Sequence, residues 1–225
     1  MDFGQWQSTN GMEVLWLSGP AECRISDASS RIVDLAKETH PEVQHSVLYF
    51  FCSTAPRKIP IAITFVSTIV RQLVRYSPEL KEEITTTFLH TLLDEIFSRE
   101  PRSNPEVPRF STDDSAVVVV EKVLKASSDA YWGALRAVVD IQREKGLSLI
   151  IDGLDQIEHQ RHEFIRDLCV FIERLQERPS RTRTRILLTS RPQAEIREIL
   201  GQLPSIEYDK ERKGMVRLIS CSQDK

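Results

Sequence analysis

The sequence predicts a three-layer α/β fold: a mostly parallel five-stranded sheet with helices on both faces and a helical insertion ahead of the strand ending in Asp152. Three observations predict it. Short apolar runs alternate with amphipathic stretches in the order strand–helix, strand–helices, strand–helix, strand–helix, strand. The run at residues 147–151, broken only by Ser148 and bounded by Gly146 and Gly153, is too short for a buried helix and reads as a central strand. Polar residues also gather after three strand ends: residues 19–26, Asp152 with Asp155, and residues 189–191. In open α/β sheets, ligands bind beyond the carboxyl ends of the strands, so three such clusters on one edge point to a site.

The elements follow in order. Residues 13–18 form an apolar strand that Gly19-Pro20 ends, and a helix through about residue 40 follows, with Ile32, Val33, Leu35 and Ala36 as its stripe. Residues 45–53 are aromatic and nearly unbroken, a second strand expected to be buried on both faces. Pro60 is placed to begin a helix over residues 61–76, with Ile61, Phe65, Ile69 and Leu73 on one face. Pro78 opens another helix, through about residue 97. Three prolines (Pro101, Pro105, Pro108) make residues 99–114 a surface loop, while residues 115–125 suit either a strand or a one-sided helix. A helix over residues 129–145 stops at Gly146 and delivers the chain into the Asp152 strand. A polar helix from about residue 160 to 177, a strand at residues 185–190, a helix at 193–200 and a short strand at 205–208 complete the pattern. Residues 1–12 and 210–225 read as tails around a domain at 13–209, the latter irregular.

Composition narrows the function classes. The 225 residues are 40% hydrophobic and 28% charged, as for an ordinary globular domain. A net charge of -3 gives no reason to expect a nucleic-acid partner. Four scattered cysteines, without Cys-x-x-Cys spacing, suit thiols in a reducing compartment. Residues 1–10 lack a secretory pattern, and the longest apolar stretch, residues 59–70, falls short of the roughly 18 residues a membrane span needs. A cytoplasmic protein without a membrane partner is expected.

The chemistry lies in the three clusters. Asp152, at the end of a buried strand, suits a carboxylate holding the water shell of Mg²⁺, although an Asp-Gly turn after a strand also occurs in proteins without a nucleotide. The strand–glycine–helix unit around Gly19 has the shape of a phosphate-binding loop, whose pattern is Gly, four residues, then Gly-Lys-Ser/Thr. Here Gly19 and Ser26 keep that register, but Arg24 stands at the second glycine and Ile25 at the lysine. Ile25 supplies no cation; Arg24 could, one position off register. His159 and His162, near Asp155 and Glu163, can be drawn as a metal site but lack a further ligand and read better as a solvated helix start.

The segments Trp16-Leu17-Ser18-Gly19, Leu48-Tyr49-Phe50-Phe51-Cys52, Ile150-Ile151-Asp152-Gly153-Leu154-Asp155 and Leu187-Leu188-Thr189-Ser190-Arg191-Pro192 carry a resemblance. They look like NACHT-type signalling NTPases, with a P-loop NTPase-like fold, and more narrowly the nephrocystin-like N-terminal module of fungal NOD-like receptor proteins. The resemblance runs from about Val14 to Tyr208. It implies a nucleotide switch in which ADP holds a closed state and ATP drives self-association with other NACHT-type chains or activates an effector domain. It also implies roles: Asp152 and Ser26 at Mg²⁺, Asp155 orienting the attacking water, and Gly19 and Arg24 in the phosphate loop. Thr189, Ser190 and Arg191 would sense the γ-phosphate from a strand between the other two motif strands.

Two departures bear on turnover. Gln156 stands where the family usually has Glu, and an amide takes no proton as a general base. Ile25 removes a phosphate clamp, and positioned charge supplies most of the catalysis in phosphoryl transfer. The chain also lacks the effector, winged-helix and repeat regions of such receptors, so a fragment, a short paralogue and a truncated gene all stay open. Three functions follow: an ATP/ADP switch with weak or no hydrolysis, a pseudo-NTPase scaffold acting through protein contact, and an active ATPase using Arg24 as replacement cation.

Overall fold

The computed structural model of the chain describes residues 12–23, 25–39, 46–54, 59–98, 128–143, 146–177, 184–208 and 217–219. In chain order the elements are β1 (Met12–Ser18), α1 (Ile25–Thr39), β2 (Ser46–Phe51), α2 (Ile61–Tyr76), α3 (Lys81–Ser98) and α4 (Ser128–Arg143). Then come β3 (Leu147–Asp152), α5 (Arg161–Gln176), β4 (Thr184–Ser190), α6 (Ala194–Leu200), β5 (Ser205–Glu207) and β6 (Arg217–Ile219). Short 3₁₀ turns lie at Ala21–Cys23, Pro78–Leu80 and Leu154–Gln156. The loop expected at 99–114 and the ambiguous stretch 115–125 lie outside the described residues.

The chain divides into two units, residues 1–58 with 142–225, and residues 59–141. The first holds the sheet, in the order β2-β3-β4-β1-β5-β6. β1 to β5 are mutually parallel, and β6 runs antiparallel to β5. The five parallel strands are those expected. β6 is an addition in the stretch read as an irregular tail, because a three-residue edge strand such as Arg-Leu-Ile has no run long enough to show a period.

Two faces can be told apart from the register. Leu15 lies opposite Leu187, which lies opposite Ile150, and side chains alternate along each strand. Leu15, Val47, Ile150, Leu187 and Ile206 therefore share a face, where Val33 of α1 joins them, with Leu17, Ile32 and Tyr49 packed alongside. The chain steps from β1 to β2 in one direction across the sheet, and from β3 to β4 and β4 to β5 in the other. Right-handed crossovers then put α1 on one face and α5 and α6 on the opposite face, consistent with a P-loop-like three-layer fold. α5 buries Phe164, Ile165, Leu168, Phe171, Ile172 and Leu175 along one side. β2 lies at the sheet margin yet is buried on both faces as expected, at Ser46, Val47, Leu48 and Phe50; only its last residue, Phe51, is exposed.

The second unit, inserted in sequence between β2 and β3, is helical among its described residues. α2 runs Ile61–Tyr76, as its period predicts, with Pro60 immediately before its first residue and Ile61, Phe65, Ile69 and Leu73 all buried. It packs on α3, and its Phe65 ring meets that of Trp132 of α4 at 5.3 Å between centroids. Among the described residues no helix is long and apolar enough to cross a membrane.

Candidate functional site

Because β1 to β5 are parallel, their carboxyl ends, at Ser18, Phe51, Asp152, Ser190 and Glu207, meet on one edge of the sheet. β4 pairs with β1 on one side and β3 on the other. The Thr-Ser-Arg segment thus lies between the strand entering the glycine loop and the strand ending in Asp152. α1 begins at this same edge, directly after the β1 loop, and packs across β2, β3 and β4.

Asp152 and Thr189 form the centre. Asp152 shares the face of Ile150, and Thr189 that of Leu187, so both point to the α1 side of the sheet. The Thr189 hydroxyl donates to Asp152 Oδ1 at 2.7 Å and accepts the backbone N–H of Gly153 at 3.0 Å. Asp152 is only 4% exposed. A carboxylate so placed needs donors to offset its lost hydration, and the Thr189 hydroxyl is one. Gly153 takes the left-handed conformation (φ 74) that turns the chain from β3 into the Leu154–Gln156 turn. An added Cβ there would be strained and would stand 3.1 Å from Gln156 Cγ.

Ser190, one residue on, points the other way. It shares the face of Trp16, whose indole N–H donates to its hydroxyl at 3.0 Å in a buried bond. Of the three residues expected to sense the nucleotide from this strand, Thr189 joins Asp152 and Ser190 ties β4 to β1.

Asp155 follows in the 3₁₀ turn, its side chain 5% exposed. Its Oδ1 accepts the backbone N–H of Arg191 at 3.0 Å. Its Oδ2 accepts the Gln156 amide at 3.0 Å and stands 3.2 Å from Arg191 Nε. Its backbone carbonyl accepts Arg161 Nη1 at 3.2 Å, and the same guanidinium reaches Gln193 at 2.9 Å and Glu195 at 2.8 Å. Arg161 was not singled out from the sequence: its side-chain partners Gln193 and Glu195 lie 32 and 34 residues away, and no local spacing signals such contacts.

The glycine loop carries a different environment. Ile25, in the position of the expected lysine, is the first residue of α1, and Ser26 follows, exposed, in its first turn. An atom added as Cβ on Gly19 would lie 2.9 Å from Ile25 Cδ1 and 3.1 Å from the Tyr208 carbonyl oxygen. The isoleucine thus folds back over Gly19, with β5's end alongside, where Tyr208 N–H donates to Ser18 O at 2.7 Å. Only glycine fits. Arg24 lies outside the described residues. His159 and His162 are both exposed, and among the described residues no group of three or more His, Cys, Asp or Glu side chains could hold a metal.

The oxygen donors at this edge (Asp152, Thr189, Ser26) are hard ligands suited to Mg²⁺, which is held through one or two carboxylates with substrate phosphates completing the shell. The arrangement can receive an anion at Arg191 and a cation at Asp152. The cation expected inside the loop is replaced by a hydrocarbon.

A sequence model of the family described as nephrocystin 3, N-terminal, matches residues 1–92 of the chain. That span covers β1, the glycine loop, α1, β2, α2 and part of α3, and ends before β3. No curated protein matches the chain.

Proposed function

We propose that this chain is a NACHT-like signalling module that binds ATP or ADP with Mg²⁺ and signals through the bound state, with little or no hydrolysis. The observation that carries the reading is the strand order: β4 lies between β1 and β3, so Asp152, Thr189, Arg191 and the glycine loop share one sheet edge. The match of the nephrocystin 3 N-terminal family over the strand–loop–helix that includes Gly19 and Ser26 supports the same reading. Asp152 and Ser26 would hold Mg²⁺, which supplies neutralisation of phosphate oxygens when bound. Gly19 and Arg24 would line the phosphates, with Thr189 orienting Asp152 and Arg191 offering a positive charge. Other NACHT-type chains or an effector domain would read the bound state by association.

Isothermal titration of the chain with Mg-ATP and Mg-ADP tests this. Saturable binding that Asp152→Ala abolishes supports the reading, and heats indistinguishable from dilution at millimolar nucleotide overturn it.

One observation favours a second reading, a pseudo-NTPase scaffold working only through protein contact. The Ile25 side chain lies against Gly19, and it stands at the position where the resemblance implies a lysine on the phosphate. Under this reading the chain binds no nucleotide yet associates with a second receptor chain.

A further inference from the structure

We infer that Asp155 is a positioning residue for Arg191 rather than a handler of water, and that it sets this arginine as a receptor for a phosphate group at the strand edge. The inference rests on the nucleotide-binding reading above and assigns Asp155 a role in it.

The geometry begins with the carboxylate. Both Asp155 oxygens are engaged: Oδ1 by the Arg191 backbone N–H, and Oδ2 by the Gln156 amide with Arg191 Nε beside it. A carboxylate facing three donors and only 5% exposed has little capacity left to hold or deprotonate a water. Arg191 differs. Its side chain is 52% exposed and is gripped at the backbone and at Nε, the inner end of the guanidinium. Among the described residues, nothing accepts a hydrogen bond from its two terminal nitrogens. A guanidinium held by its inner nitrogen presents the outer pair as a planar fork, the shape that matches two phosphate oxygens.

Gln156 belongs to the same device. Its amide donates to Asp155 Oδ2 at 3.0 Å, which a carboxylate at this position could do only when protonated. Glu at position 156 would set two negative charges side by side and draw on the charge of Arg191. The amide that removes a general base therefore also secures the clamp, so a failure to hydrolyse and a well-held Arg191 share one structural cause.

The test is a set of Mg-ATP dissociation constants for the natural chain, Asp155→Asn, Arg191→Ala, Arg191→Lys and the Asp155→Asn/Arg191→Ala double variant, with melting followed in each. Asp155→Asn keeps the shape and one acceptor oxygen while losing the second, so it loosens the arginine without opening a cavity. Each single variant is expected to weaken binding about 10-fold or more, since a charge-assisted bond to phosphate is lost. The double variant should bind no more weakly than Arg191→Ala alone, a non-additivity that general loosening of the fold does not produce. Arg191→Lys should fail like Arg191→Ala, because one ammonium cannot serve Asp155 and a planar fork together. Gln156→Glu should show no gain in phosphate release.

An Asp155→Asn chain with natural affinity, additive effects in the double variant, natural affinity in Arg191→Lys, or phosphate release switched on by Gln156→Glu would each overturn the clamp alone. Absence of Mg-ATP binding in a cooperatively folded natural chain overturns the nucleotide reading and the clamp with it.

Discussion

Replacing Thr189 by Val keeps the side chain's shape and takes away one hydroxyl, and the structure shows what that hydroxyl joins. It donates to Asp152 Oδ1 at 2.7 Å and accepts from Gly153 N at 3.0 Å, linking the ends of β3 and β4 in buried surroundings. A bond to a charged group contributes about 1.5–3 kcal/mol and a neutral one about 0.5–1.5 kcal/mol, so the variant should lose about 2–4 kcal/mol. For a chain of this size, each kcal/mol moves the melting temperature by about 2–4 °C. Thr189→Val should therefore melt roughly 5–15 °C lower. Thr189→Ser keeps the hydroxyl and loses one methyl, and should fall by about 1 kcal/mol. Differential scanning calorimetry on the three chains measures this. A Thr189→Val chain that melts within a degree or two of the natural one, or that loses no more than Thr189→Ser, would show that the hydroxyl contributes little.

Other perturbations probe separate parts of the account. The double variant Arg24→Gly/Ile25→Lys restores the glycine and cation of a phosphate loop, and should tighten Mg-ATP binding by about 10-fold or more by titration; unchanged affinity would mean that the loop does not limit binding. Ile150→Ala removes a side chain packed between Leu187, Val47 and α1, and should cost about 2–5 kcal/mol in urea denaturation, whereas Leu89→Ala on an exposed helix position should stay within about 0.5 kcal/mol. Trp16→Phe removes the indole donor to Ser190 and should cost about 1 kcal/mol, with most of that remaining when Ser190→Ala is measured alone. The Cys169 thiol is pushed up to about 11 by burial, with Glu173 adding to the rise, so site-resolved alkylation should be slow at pH 8 and climb toward pH 11. The unfolded chain gives up this proton near pH 9, below the folded value of about 11, so stability falls as pH rises through that window.

The sequence is most informative where the signal is local. The period of α2 and α5, the apolar run ending in Asp152 and the strand before Arg191 were legible to within a residue or two, because each buries a face whose spacing repeats over several positions. What pairs with what was not legible in the same way. Parallel pairing joins residues such as Leu15 and Leu187 across most of the chain, and only the family resemblance pointed to a strand lying between the other two motif strands. The site divides along the same line. Asp152 and Thr189 were each visible as polar residues ending apolar runs, and the fold brings them to 2.7 Å. Ser190 was visible too, but strand alternation turns it to Trp16 instead. The engagement of Asp155 by Arg191 and Gln156 could not be read, since the main partner lies 36 residues on and a lone Asp after Asp-Gly-Leu carries no mark of it. Ile25 over Gly19 is intermediate: the substitution was visible, but its reach into the loop was not.

The measurement that bears most directly on the central claim is thermal unfolding of the chain alone, with Mg-ATP and with Mg-ADP, beside Asp152→Ala under the same conditions. A ligand present at 100 times its dissociation constant stabilises by about 2.7 kcal/mol, and the melting temperature should rise by roughly 5–10 °C. The account predicts that rise in the natural chain and its loss in Asp152→Ala. A natural chain that melts cooperatively at one temperature whether or not millimolar nucleotide is present would contradict it.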